Sequence, residues 1–301
     1  MRPGHWYGRS TGLTVRMAIV MLLLAVIYLA FIALLFALRV NLVFIGVVVA
    51  GMALVQYFYS DKLVLLSMGA HEVSADQAPE LHSLIERLCQ QIDLPKPRIA
   101  VADTDVPNAF ATGRNPEHAV VCVTSGIMRR LDENELEAVL AHELTHVKNR
   151  DVAVITFASI FSTIASFIVQ WGFWLGLGGD RRDDRNGGAG ATVLIYLASI
   201  IVWVVSYLLI LTLSRYRELA ADRGSAIITG APSHLMSALV KISGTMARIP
   251  TQDLRQVEHQ NAFMIVPALH GDSFSGLFST HPSLEKRLAQ LRELQRQMEG
   301  A

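Results

Sequence analysis

Cysteine is almost missing, with two residues, Cys89 and Cys122, in a chain of 301. That excludes a disulfide framework and a thiolate zinc site, and both read as small buried hydrophobes. Charge is scarce as well: Asp, Glu, Lys and Arg make up 17%, against about 25% in soluble domains. Nor does one sign prevail. The 26 basic residues balance the 26 acidic ones, so no global field steers DNA, RNA or an acidic partner. Internal repeats and low-complexity tracts are absent. What is abundant is apolar surface. Hydrophobic residues reach 52% and mean hydropathy is +0.38, which excludes a disordered or fibrous chain and points to a bilayer.

Four runs carry the excess, and all are free of charge: Met17–Leu38, Val40–Ser60, Val152–Gly179 and Val193–Leu213. Each exceeds the roughly 18–20 residues a helix needs to cross a bilayer. The first is longer than a signal-peptide core of about 7–15 residues and no small-x-small cleavage site follows it, so it reads as a retained span. Arg39 alone breaks the first pair, and the polar, glycine-rich Asp180–Ala191 segment joins the second. Nine basic residues flank the outer ends of these hairpins: Arg2, Arg9, Arg16, Lys62, Lys148, Arg150, Arg215, Arg217 and Arg223. Only Arg39, Arg181, Arg182 and Arg185 lie on the other side. The positive-inside bias predicts cytoplasmic termini.

The layout expected is a tail and hairpin over 1–60, a polar block over 61–151, a second hairpin over 152–214 and a second polar block over 215–301. In the first block, Leu81, Leu84, Ile85 and Leu88 predict a helix over Ala78–Ile92. Pro97–Asp103, Asn108–Thr112 and His118–Thr124 predict short strands, broken at Pro107 and at Gly113–Pro116. Asp132 and Glu135 form a capping-box signature opening another helix. The second block predicts helices over Arg215–Ile228, Pro232–Ile249 and Ser283–Met298, with a long loop over Thr251–Thr280. The fold class expected is a mostly α membrane protein with four spans and a cytoplasmic α+β, zincin-like domain carrying a small sheet.

The capped helix carries His142-Glu-Leu-Thr-His146. Residues four apart share a helical face, so His142 and His146 present two imidazole nitrogens to one ion. Glu143, turned about 100° away, reaches a water on that ion without ligating it. A Lewis acid, an activated water and a carboxylate are what a zinc hydrolase needs. A catalytic zinc takes a third protein ligand, and Glu218 is the candidate because it follows the second hairpin as His146 precedes it. Its rivals are Glu258, His259 and His281. Asp222, four residues beyond Glu218, is placed to receive the distal N–H of a ligating histidine. Asn149 and Asp151 either brace the active helix or form a solvated turn.

Four segments occur in order: Pro107-Asn-Ala-Phe-Ala-Thr-Gly113, His142-Glu-Leu-Thr-His-Val-Lys-Asn-Arg-Asp151, Ser214-Arg-Tyr-Arg-Glu-Leu-Ala-Ala-Asp222 and Ser279-Thr-His-Pro-Ser283. In these segments and in its four-run layout the sequence resembles the HtpX-type membrane zinc metalloproteases, relatives of the CAAX prenyl endopeptidases. It departs from their usual pattern at Leu219 and Ser283. The resemblance implies one zinc per chain on His142, His146 and Glu218, with Glu143 as general base. It also implies that Asn108, Ala109 and Phe110 line the cleft as an edge strand, which pairs with an extended substrate backbone. His281 either donates to the tetrahedral oxyanion or caps the last helix.

The function expected is an endopeptidase in the cell inner membrane, its termini and active site cytoplasmic. Its expected substrates are misfolded or damaged membrane polypeptides reached from the bilayer, and no nucleic acid is expected as a partner. Two alternatives stand beside it. One is a membrane chaperone or scaffold with a structural metal, which would need a fourth protein ligand. The other is a prenyl-peptide endopeptidase, a class that encloses its site with more membrane helices.

Overall fold

A computed structural model describes residues 11–38, 40, 42–171, 188–249, 264–266 and 279–300. The tail 1–10, Arg39, the polar turn over 180–187, the rival ligands Glu258 and His259, and most of the loop expected over Thr251–Thr280 lie outside the described residues. The chain opens with α1 (Thr11–Ala37) and α2 (Leu42–Ser67), then β1 (Ala70–Glu72), α3 (Pro79–Ile92), β2 (Arg98–Ala102) and β3 (Ala109–Thr112). It continues through β4 (Val120–Thr124), α4 (Ser125–Met128), α5 (Glu133–Lys148) and α6 (Asp151–Trp171). Last come α7 (Gly188–Thr229), α8 (Pro232–Met246) and α9 (Leu284–Glu299).

Two compact units emerge. The first combines Thr14–Tyr57 with Val154–Leu213 and is helical. Two of its helices each bury a stripe: Val20, Leu24, Tyr28, Phe31 and Leu35 on α1, and Ile195, Ser199, Val202 and Ser206 on α7. Tyr28 Oη donates to the Ala158 carbonyl at 2.6 Å, and the buried residues Ala158, Ser162, Ala165, Ser199 and Ser206 are small. Small residues and hydroxyl contacts are how helices pack where solvent is itself apolar. Off these stripes large apolar side chains point outward, Phe36 being 75% exposed and Leu29 66%. Such a surface is stable against lipid and unstable against water.

Among the described residues, Thr11–Ala37 and Thr192–Thr229 are long and apolar enough to cross a membrane. Asp151–Ile160 and Ser162–Gln170, bent by 44°, make a third if they form one span. From Leu42 onward the run Val40–Ser60 lies in α2.

The second unit holds Phe58–Ala153 and Ser214–Ala301. Its sheet has the order β1-β2-β4-β3, with β2 and β4 parallel and both outer strands antiparallel to their neighbours. β4 is central and wholly buried, which explains its unbroken Val-Val-Cys-Val run. Side chains alternate between two cores. Ile99, Ala109, Val121 and Val123 face the larger core with residues of α3, α5, α8 and α9, whereas Ala100, Phe110, Val120 and Cys122 pack with Leu65. Both cysteines are buried, and burial pushes the Cys122 thiol up to about 12.

Three expectations shift. The strand predicted from His118 starts at Val120, because Pro116–His118 forms a 3-10 turn whose Asn115 side chain accepts from His118 N. Gly113, at φ 124°, opens that turn, and a Cβ there would lie 2.4 Å from the His118 carbonyl oxygen. β1 escaped prediction: three residues are too few to show a period. The helix predicted from Arg215 has no start of its own, since α7 runs unbroken from Gly188 to Thr229. Polarity changes at Ser214 while the backbone conformation does not.

Candidate active site

α5 begins where predicted. Asp132 accepts from Glu135 N and the Glu135 carboxylate accepts from Asp132 N, closing the capping box. Glu135 is also held by Ser237 Oγ and by Lys241 Nζ, each at 2.6 Å, which ties α5 to α8. At the far end, Lys148 Nζ donates to the last carbonyls of α3, at 2.7 Å to Ile92 and 3.1 Å to Asp93. The helix is therefore anchored at both ends.

α7 meets α5 across a contact that only glycine permits. A Cβ on Gly224 would lie 2.4 Å from Thr145 Cγ2, and Ser225 Oγ donates to the Ala138 carbonyl at 2.6 Å. Gly224→Ala is expected to cost about 1–3 kcal/mol by overpacking. Because Thr145 sits beside His142 and His146, the same change should weaken metal binding. Thermal unfolding and metal titration check both effects, and Gly224→Ala with Thr145→Ala should recover part of each.

This docking brings His142, His146 and Glu218 together, with one donor atom from each inside a 4.8 Å group. His146 Nε2 lies 3.2 Å from His142 Nε2, and Glu218 oxygens lie 3.6 and 3.4 Å from His142 Nε2 and His146 Nε2. The other ring nitrogens face carboxylates. His142 Nδ1 is 3.1 Å from Asp222 Oδ1, and His146 Nδ1 is 2.6 Å from Asp151 Oδ2. A carboxylate at Nδ1 assigns the proton there and leaves the Nε2 lone pair free. Two lone pairs and a carboxylate then converge. Glu218 Oε2 is buried and, although His281 Nδ1 lies 3.0 Å away, makes no well-formed hydrogen bond. A cation satisfies all of these groups at once, so the donor set fits a metal.

Burial alone would raise the Glu218 carboxyl, but His281, His142 and His146 around it hold it well below the usual carboxylate range. Burial likewise opposes the charge on Asp222, and Arg287 and His142 reverse the shift to a net lowering. Glu143 goes the other way. It is 5% exposed, and burial pushes its carboxyl up despite the nearby histidines. Its Oε2 accepts from the Ala111 backbone N–H at 3.0 Å, so it faces the free edge of β3.

The remaining candidates divide. Asn108, Ala109 and Phe110 are all buried. Asn108 Oδ1 accepts from Ile265 N at 3.0 Å and Phe110 packs into the smaller core, so this segment presents backbone rather than side chains at its edge. His281 Nδ1 lies 3.0 Å from Glu218 Oε2, and the cap of α9 is Ser283, which accepts from Lys286 N. Two arginines carry more than their sequence context suggests. Arg287 is 2% exposed and makes a bidentate pair with Asp222, at 2.9 and 2.6 Å. Its signal was its place in the stripe Leu284, Arg287, Leu291, Leu294, where a charge is out of pattern. Arg217 pairs with Asp151 at 2.8 Å, and burial draws its guanidinium down to about 9 with Glu218 offsetting part of the shift.

Residues 75–295 match the model of peptidase family M48. The chain belongs to that family. It is 62% identical over 296 residues to a protein of Moorella thermoacetica named Protease HtpX homolog, covering 97% of each chain. A Methanosarcina acetivorans protein named Protease HtpX homolog 2 is 58% identical over 291 residues, covering 96% of this chain and 98% of that one. Among solved structures, that of S. mikatae Ste24p aligns with a TM-score of 0.54 at 17% identity, over 94% of this chain and 67% of that chain. At that identity the likeness is one of fold. The resemblance read from the four motifs is met: this is an M48 metalloprotease of the HtpX type.

Proposed function

We propose that this M48 protein is a multi-pass membrane zinc endopeptidase, with one zinc held by His142, His146 and Glu218. The observation that carries the reading is the convergence of those three donors beside a buried Glu143 that faces a free strand edge. Zinc bound there would supply Lewis-acid polarisation of the scissile carbonyl and an acidified water. Glu143 takes the proton from the attacking water and passes it to the leaving amine, a role its raised proton affinity suits. Asp222 holds the His142 ring through Nδ1. β3 adds the substrate as a further strand through backbone hydrogen bonds, giving extended chains preference with little demand on sequence. His281, whose Nδ1 lies 3.0 Å from Glu218 Oε2, would donate from Nε2 to the developing oxyanion with both ring nitrogens protonated.

Four apolar runs and the nine-to-four basic asymmetry support four spans with both termini and the two polar blocks in the cytoplasm. The inner membrane, and misfolded or damaged membrane proteins as substrates, follow from the HtpX-type resemblance. Purified full-length protein in detergent is expected to contain one zinc and to cleave a casein-type unfolded protein. A chelator should abolish cleavage, and added zinc should restore it. One tightly held zinc with no cleavage would instead identify a structural metal in a scaffold.

A further inference from the structure

The two histidines of the site are secured differently. The His142 side chain is 1% exposed and is wedged between helices, and its partner Asp222 is clamped by Arg287. The His146 side chain is 17% exposed, near the end of α5, and its enclosure alone does not fix the ring. Its partner Asp151 is five residues on, a spacing that no regular helix places on one face. Arg150, at φ 55° between α5 and α6, turns the chain through the left-handed region and brings Asp151 back beneath the ring. Asp151 Oδ2 then faces both His146 Nδ1, at 2.6 Å, and Arg217 Nη2, at 2.8 Å.

Arg217 is 8% exposed, and its Nε is buried without a partner. Desolvating a guanidinium whose hydrogen bonds are incompletely met is a poor way to gain stability. Its location explains it better. Arg217 immediately precedes Glu218 on α7, so the guanidinium links the helix carrying one donor to the corner carrying another.

We infer that Arg217 is a positioning residue, acting through Asp151 to orient the His146 imidazole for metal. The inference rests on the reading of His146 as a ligand. A planar fork donates to a carboxylate in a defined direction, which a lysine ammonium does not reproduce. Orientation through a second partner typically contributes about 10–100-fold in metal affinity.

The test is zinc affinity of the full-length protein in detergent, measured by competition with a chromophoric chelator, alongside kcat and KM at saturating zinc and thermal unfolding without metal. Arg217→Met should weaken zinc binding about 10–100-fold and leave KM for the unfolded substrate unchanged. Arg217→Lys should restore only part of the affinity. Asp151→Asn should behave like Arg217→Met, and the double variant should be no weaker than the weaker single to within about twofold, because both act through one ring. The double variant leaves no unpaired charge and keeps the test valid if Arg217→Met folds poorly. Parental zinc affinity in Arg217→Met and the double, with loss of zinc in His146→Ala, would overturn this inference alone. A fall in unfolding temperature with zinc affinity unchanged would overturn it too. Parental zinc affinity in His146→Ala would overturn the ligand reading itself.

Discussion

Glu143→Gln is expected to retain one zinc per chain and to lose proteolysis by about 10²–10⁴-fold, the usual worth of a positioned base. Two observations separate its role from that of a ligand. Its carboxylate accepts from Ala111 N at 3.0 Å, and it lies outside the group formed by His142, His146 and Glu218. Gln preserves the shape and keeps a carbonyl oxygen for the Ala111 N–H, while it removes the capacity to take a proton at neutral pH. The fold and β3 should therefore stay in place, and KM should change little. Metal analysis and steady-state kinetics on the same preparation check this. Loss of zinc together with activity would make Glu143 a ligand or a structural group, and unchanged activity would end the proposed mechanism.

Glu218→Ala should abolish stable zinc binding, an effect larger than the roughly 10–100-fold cost of losing a hydrogen-bonded partner behind a ligand. Its carboxylate is the only acidic donor in the three-residue group found among the described residues. Removing it leaves two imidazoles with no charge opposite them, and high zinc should not restore cleavage. Asp222→Ala should differ. It should weaken zinc binding by about 10–100-fold and recover part of its activity when zinc is added. That comparison has a complication in the Arg287 pair. Asp222→Ala strands a buried guanidinium, which typically costs about 3–5 kcal/mol of stability. Asp222→Ala with Arg287→Met removes both charges and should unfold at a higher temperature than Asp222→Ala alone, while keeping its weakened zinc affinity. Equal zinc affinity in Glu218→Ala and the parent would move the third ligand elsewhere. Parental affinity in the Asp222 variants would reduce the spacing of four to helix geometry.

Much of the catalytic unit was legible because its signals are local. The capping box, the His142–His146 spacing and the apolar stripe of α3 each lie within one helix, where a period of 3.6 turns sequence distance into direction. β4 was legible as a strand for a related reason, since a run of Val, Val, Cys and Val bounded by turns suits a strand buried on both faces. The ends were less legible. His118 belongs to a turn set by Gly113 and Asn115, and the start of Arg215–Ile228 vanished because a long helix continues through a change in polarity. Asn108 shows the limit most clearly: its side chain reaches Ile265, 157 positions away, and not the cleft edge.

By itself the sequence determined the apolar runs, the family and the pair of histidines on one helical face, because composition and short spacing are properties of the chain before it folds. Only the tertiary structure decided how those histidines are held. His142 depends on Asp222 and Arg287, which are 65 positions apart, and His146 on Asp151, brought back by a left-handed turn at Arg150, and on Arg217 of a distant helix. Such pairs follow no period. They exist because a buried carboxylate must find a cation or a donor, and which one it finds is settled only when the helices pack.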